Sequence, residues 1–178
     1  MTTAESDDDT LMRRAAAGER EAFVTLVRRH ARRGAGYAHS IVRDWNAAQD
    51  VMQQTFLHLY AQRAKFGQES NFNTWLFVNL RQQAIAWLRQ HRRLRAISDE
   101  EMYFLADAST DPMEAMIAEE SRLALHRRLR ALPLHYQEAL YLHYFQGMPV
   151  REVATILQRS EKAVEQYILL AKRKLRDS

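Results

Sequence analysis

The sequence predicts an all-α protein: two small helical domains joined by an acidic flexible linker, with a helix-turn-helix at the C-terminal end. Three observations lead there. Five Gly and three Pro in 178 residues are too few to punctuate an extended sheet. The apolar residues recur at helical spacing rather than in alternation. The charges fall in blocks, with Lys and Arg against Asp and Glu numbering 15 to 9 over residues 1–96, 0 to 8 over residues 97–121 and 11 to 5 over residues 122–178. Two basic blocks around an acidic segment suit two phosphate-facing domains and a tether, because like charge drives the tether off a polyanion. Two solvated bundles with a soluble linker fit the same counts equally well. The boundaries are placed at residues 1–96, 97–113 and 114–178.

The first helix opens at Asp9 or Thr10, both suited to an N-cap, and carries Leu11 and Ala15. After a break near Gly18 the apolar positions resume at Phe23, Leu26 and Val27. Gly34 and Gly36 are poor helix formers, so a new helix is expected to start just before Tyr37. Val51, Met52, Thr55, Phe56, Leu59 and Tyr60 then share one stripe, leaving Asp50, Gln53, Gln54 and Leu57 opposite. From Trp45 to Gln62 there is one acid and no Lys or Arg, in a chain that is 27% charged, so this outer face is unusually neutral. The segment KFGQESNF, Lys65 to Phe72, reads as a loop.

A long helix follows, with Trp75, Leu76, Leu80, Ile85 and Leu88 on or near one face. Arg81, Arg89, Arg92, Arg93 and Arg95 gather towards its C-terminal half, where cations also suit the helix dipole. Residues 97–113 hold scattered polar and acidic side chains with Asp111-Pro112 near the end, and some helix is expected around Met102 to Leu105. Another helix runs from about Glu114 to Ala131 and stops at Leu132-Pro133. The next holds Ala139, Leu140, Leu142 and Tyr144, with Gly147 as its C-cap.

Beyond Gly147, Pro149 suits a first helical position, and Val153, Ala154 and Leu157 give a short apolar face. Gln158-Arg159 leaves a tight turn before Ser160, a natural N-cap, and the last helix turns Val164, Ile168, Ala171 and Leu175 inward. Two short helices joined by a tight turn, the second ending in Lys172, Arg173, Lys174 and Arg176, form a helix-turn-helix. Side chains near the start of the second helix reach base edges in a major groove while terminal cations neutralise phosphate. An αα-hairpin that only packs has the same pattern.

Several classes are excluded. Without Cys there is no disulfide framework and no thiolate metal site. Seven His occur, but with no HExxH, no Walker loop and no carboxylate pair placed for acid/base work, so no catalytic residue, metal or cofactor is expected. The acidic N-terminus MTTAESDDDT has no apolar core, and no apolar run reaches membrane-spanning length, which predicts a cytoplasmic protein without membrane insertion.

The blocks AGEREAFVTLVRRH, AQDVMQQTFLHLY, FNTWLFVNLRQQAIAWLRQHRR, LPLHYQEALYLHYFQGMPVREVATIL and SEKAVEQYILLAKRKL resemble, in order and spacing, the bacterial extracytoplasmic-function sigma factors. The resemblance implies a promoter-specificity subunit of core RNA polymerase, whose first domain melts and reads the promoter-proximal element and whose last domain reads the distal one. It implies DNA contacts from Lys65, from Asn71 and Phe72 as captors of an unstacked base, and from Arg81, Arg89, Arg92 and Arg93 along a basic helix. Trp75 is the other stacking candidate, with core packing favoured for it. In the last helix it implies Ser160, Glu161, Lys162, Glu165 and Gln166, with Leu169 or Leu170 outward, and the cations Lys172, Arg173 and Lys174.

The neutral segment aligns with the family's polymerase-docking helix, which implies contacts from Gln49, Asp50, Gln53, Gln54 and Leu57. Relatives usually carry acids there, and this chain has Ala47, Gln49 and Gln54 in their place. Two expectations follow: a compensating partner surface, or added charge from a Ser/Thr kinase acting at Thr55 or a nearby hydroxyl, the alternative role of Thr55 being that of a half-buried structural threonine. An anti-sigma factor is a further expected partner. Relatives also have glycine where this chain has Gln158. A stand-alone helix-turn-helix regulator and a purely protein-binding helical adaptor are the competing readings.

Overall fold

The computed structural model describes residues 7–67, 71–91 and 123–176, and they are helical with no strand among them. Arg92, Arg93, the acidic segment 97–113 and the start expected near Glu114 lie outside the described residues. The chain divides into two compact units, Met1–Ser98 and Asp99–Ser178.

The first unit is built from α1 (Asp8–Ala16), α2 (Arg20–Val42), α3 (Trp45–Ala61) and α4 (Phe72–His91), with a 3-10 turn at Arg63–Lys65 between the last two. Gly18, at φ +105°, turns the chain from α1 into α2. The N-cap expected at Asp9 or Thr10 is not used: α1 begins at Asp8, and Asp7 at its cap makes no side-chain bond. The two following carboxylates reach other helices instead. Asp8 Oδ1 accepts from Arg29 at 3.0 Å and its Oδ2 meets His30 Nε2 at 2.7 Å. Asp9 Oδ1 accepts from the backbone N–H of Phe72 at 2.6 Å, so α1 caps α4 from a distance. Leu11, Met12 and Ala15 are buried behind these contacts.

The break expected before Tyr37 does not occur: α2 runs unbroken through Gly34 and Gly36. Its helical penalty of about 1 kcal/mol per glycine is offset by packing. A Cβ on Gly34 would stand 2.3 Å from Met52 Sδ and 3.3 Å from Leu80 Cδ2, so the bare backbone is what lets α3 and α4 press against α2. Asp44 caps α3 by accepting from Ala47 N–H at 2.7 Å. The expected stripe Val51, Met52, Thr55, Phe56 and Leu59 is buried, with Tyr60 at its edge. In α4 the buried residues are Phe72, Leu76, Phe77, Leu80, Ala84 and Leu88, while Trp75 and Ile85 are only half-buried.

The second unit contains α5 (residues 123–131), α6 (Leu134–Leu140), which passes into a π-helical turn at Tyr141–Phe145, α7 (Val150–Leu157) and α8 (Glu161–Arg176). Gln137 Nε2 donates to the Leu132 carbonyl at 2.6 Å, satisfying an acceptor that the break at Pro133 would orphan. Gly147, at φ +67°, ends the π turn, and His143 Nδ1 donates to the Met148 carbonyl at 2.8 Å across it. Pro149 takes the N-cap of α7, one position earlier than expected. The helix α8 packs on α6 and α7 through Val164, Ile168 and Ala171.

All three Trp belong to the first unit, so their fluorescence in the full chain follows that unit's unfolding. Gly34→Val inserts carbon against Met52 and Leu80 and should lower its unfolding free energy by about 2–3 kcal/mol, read from the urea midpoint. A second expectation concerns His30, which is 2% exposed. Burial pushes its pKa below the ordinary histidine value; Asp8 opposes this and Arg33 and Arg29 add to it. The unfolded chain therefore binds the proton more readily, and His30's contribution is complete above pH 6.5 and lost as the pH falls below it. Between about pH 7.5 and about pH 5.5 the urea midpoint should fall further in the wild type than in His30→Gln.

Candidate functional site

The outer face of α3 is what remains once its stripe is buried. Gln49, Asp50, Gln53, Gln54 and Leu57 all emerge exposed, and Leu57 is 58% exposed. Asp50 is the lone charge among three amides and an aliphatic side chain. Beside this face lies a groove of about 860 Å³ between α2 and α3, lined by Phe23, Val24, Val27, Trp45, Phe56 and Leu57 among others. Leu57 thus stands on the rim of apolar surface and extends it outward. Thr55 points the other way. It is 0% exposed and its Oγ1 donates to the Val51 carbonyl at 2.7 Å, an in-helix bond typical of a core threonine. This overturns the kinase site expected there, because a phosphate at Thr55 has neither access nor room without opening α3.

The start of α4 carries the next set. Asn71 is exposed, and its Oδ1 accepts from Thr74 N–H at 3.0 Å, making it the N-cap of the helix. Phe72 was expected to present a stacking face, and here too the structure corrects the expectation. Its side chain is 0% exposed and its ring packs on His30 at 5.3 Å between centroids. Trp75 is half-buried, tilted against Phe66 with ring centroids 5.5 Å apart. It is therefore the aromatic at this end that keeps accessible surface. Lys65 is exposed at the end of the 3-10 turn, Arg81 is half-buried and Arg89 is exposed. The neighbouring Arg63 is held by the end of α3, donating to the Tyr60 carbonyl at 2.8 Å with its guanidinium 4.3 Å from the Tyr60 ring.

In the second unit, α7 ends at Gln158 in the left-handed region, φ +54° and ψ +49°. That conformation costs a non-glycine side chain about 1–2 kcal/mol, which explains why glycine suits the position. The Arg159 N–H then bonds back to the Ala154 carbonyl at 2.9 Å and Ser160 Oγ accepts from Ala163 N–H at 3.2 Å. The turn is closed by these two bonds and α8 leaves it with a defined start. Glu161, Lys162, Glu165, Gln166, Lys172, Arg173 and Lys174 are all exposed. So is Leu169, at 60%, whereas Leu170 is half-buried, which decides between the two leucines. Lys172 Nζ sits 4.7 Å from the Tyr144 ring, a cation–π contact that steadies the basic end of the helix.

Two family models match this chain: Sigma-70 region 2 over residues 26–94 and Sigma-70, region 4 over residues 122–175. The RNA polymerase sigma factor NccH of Alcaligenes xylosoxydans xylosoxydans is 32% identical over 96% of this chain and 93% of its own length. The probable RNA polymerase sigma factor RfaY of Xanthomonas campestris pv. campestris is 34% identical over 92% of this chain, which spans only 42% of that protein. Among solved structures, CnrH in complex with the cytosolic domain of CnrY is 29% identical with a TM-score of 0.71, covering 96% of this chain and 95% of that one. Further relatives carry the name ECF RNA polymerase sigma factor. With both region models matched in order and a relative aligned over nearly its whole length, the chain belongs to the extracytoplasmic-function sigma factors of RNA polymerase, a family of promoter-specific transcription initiation factors.

Proposed function

We propose that this sigma factor docks on core RNA polymerase through the outer face of α3, reads the promoter-proximal element around the start of α4 and reads the distal element through α8. In this assignment residues 1–96 serve as region 2, residues 97–113 as an acidic tether repelled by the DNA backbone, and residues 114–178 as region 4. The observation that carries the reading is that the two surfaces concerned stand open outside the cores of their units. Gln49, Asp50, Gln53, Gln54 and Leu57 are exposed on the outer face of α3, and the last turn of α8 is exposed and basic, a charge that suits phosphate.

The missing acids of α3 are compensated, on this reading, by apolar surface. Charge-assisted pairs contribute about 1.5–3 kcal/mol each, and an exposed leucine seated in a partner pocket supplies a comparable amount, about 1.5–3 kcal/mol on full burial. Leu57 at the rim of the α2/α3 groove is therefore the anchor, and docking depends less on salt than it would with carboxylates. Control of activity falls to a protein partner of the anti-sigma kind rather than to a kinase at Thr55. CnrH, the structural neighbour, is itself seen with the cytosolic domain of another protein, CnrY. Lys65, Asn71, Arg81 and Arg89 are assigned to the opened proximal element, with Trp75 in place of Phe72 as the stacking surface.

Reconstitution with bacterial core polymerase, followed by sequencing of transcript starts, tests the assignment as a whole. Starts clustered behind a shared pair of elements are expected, and tight sequence-specific footprinting by the free chain would favour a stand-alone regulator. Leu57→Asp should weaken core binding by tenfold or more, about 1.4 kcal/mol, whereas the Gln49→Glu, Gln54→Glu double variant should bind more tightly and with greater salt sensitivity. Replacing Lys172, Arg173 and Lys174 with Ala should weaken holoenzyme binding to all sequences alike and flatten the salt slope by up to ~0.9 for each phosphate no longer neutralised.

A further inference from the structure

We infer that α8 makes this sigma factor a reader of cytosine and thymine in its distal element, with Glu165 accepting from a cytosine N4 amino group and Leu169 covering a thymine 5-methyl. The inference rests on the proposed role of α8 as the recognition helix and assigns its chemistry.

One stripe of α8 is open from end to end. Opposite the buried Val164, Ile168 and Ala171, exposed side chains succeed one another as Glu161 and Lys162, then Glu165 and Gln166, then Leu169, then Lys172 and Arg173. The N-cap bond of Ser160 fixes where the helix starts, so Glu161 lies in the first turn and is accounted for by the helix dipole. Glu165 is beyond that turn. Among the described residues no hydrogen bond or ion pair engages it, and it supports no neighbour. A carboxylate on a face that meets phosphate is unfavourable unless a base donor satisfies it.

The major groove offers few such donors. Guanine presents N7 and O6 and thymine presents O4, all acceptors that repel a carboxylate, and adenine sets its N7 acceptor beside its N6 donor. Cytosine alone offers N4–H with no adjacent acceptor on the same base. Glu165 therefore selects cytosine. One helical turn on, Leu169 can make no hydrogen bond and leaves 60% of its surface to solvent. In a groove its gain comes from the thymine methyl, the apolar group of the four base-pair edges. Glu165 and Leu169 are separated by about 6 Å along the helix axis, which places their bases one or two steps of roughly 3.4 Å apart. Lys172 follows a turn later and neutralises the backbone beside them, offsetting the carboxylate.

The test is selection of binding sites by the reconstituted holoenzyme from promoters randomised over the distal element, with bound DNA sequenced. Wild type should enrich cytosine and thymine within two steps of one another. Glu165→Gln should cut the cytosine preference roughly 5- to 150-fold and move it towards adenine, which an amide pairs with at N6 and N7. Leu169→Ala should erase the thymine preference alone, and deoxyuridine in place of that thymine should reproduce the loss with the wild-type protein. Both side chains are exposed, so the variants keep the fold. A distal element whose base preferences are the same in wild type and both variants overturns the inference while leaving the sigma-factor assignment standing. A holoenzyme that initiates without selecting any distal element overturns both this inference and the role given to α8.

Discussion

Region 2 of this protein is organised around the place where α2 gives up its side chain. At Gly34 the ends of the Met52 side chain of α3 and the Leu80 side chain of α4 lie over bare backbone, in space that a Cβ could share only if Met52 moved aside. Close approach at that point sets how α3 lies against α2, and with it which residues of α3 are enclosed. Thr55 and Phe56 turn into the core and Gln53, Gln54 and Leu57 turn out. The aspartates of α1 then tie the same assembly together from its other end. Asp8 holds Arg29 and His30 of α2, and Asp9 caps the backbone of α4 at Phe72. Each bond joins elements that the chain alone would leave apart, and none of them uses a residue of the outer faces.

The functional surfaces are accordingly the remainder of the packing. A helix of this kind has one stripe to bury, and the opposite stripe is available to partners at no cost to the core. On α3 that stripe is nearly uncharged, so in the proposed assignment polymerase docking is a matter of shape and apolar contact. On α8 it is graded, with carboxylates near the start, Leu169 in the middle and cations at the end. The gradient divides the helix into a part suited to base edges and a part suited to phosphate. The turn before it is built with Gln158 where the left-handed conformation favours glycine, a strain the two closing bonds from Arg159 and Ser160 hold in place.

Much of this was legible in the sequence because it is local. Spacing along a helix decides which side chains share a face, so the stripe from Val51 to Leu59, the neutral face opposite it and the inner face of α8 could be read directly. Gly147 and Ser160 announced their helix ends through chemistry carried by a single residue. The order of the five sequence blocks was enough to point to the family. Composition similarly excluded thiolate metal sites.

What the tertiary structure decided were the cases in which a residue's partner lies far along the chain. Gly34, which would weaken an isolated helix, is accommodated in this one because Met52 and Leu80 pack over it. Asp9 looks like a cap for its own helix and caps α4 instead, while Asp8 beside it reaches α2. Phe72 occupies a position that local spacing leaves at the border of core and surface, and His30 of α2, packed on its ring, settles it as buried. Leu169 and Leu170 are adjacent, and only the way α8 seats on α6 and α7 exposes the first and shelters the second. Periodicity determines the faces of a helix; the neighbours it acquires on folding determine where each face ends.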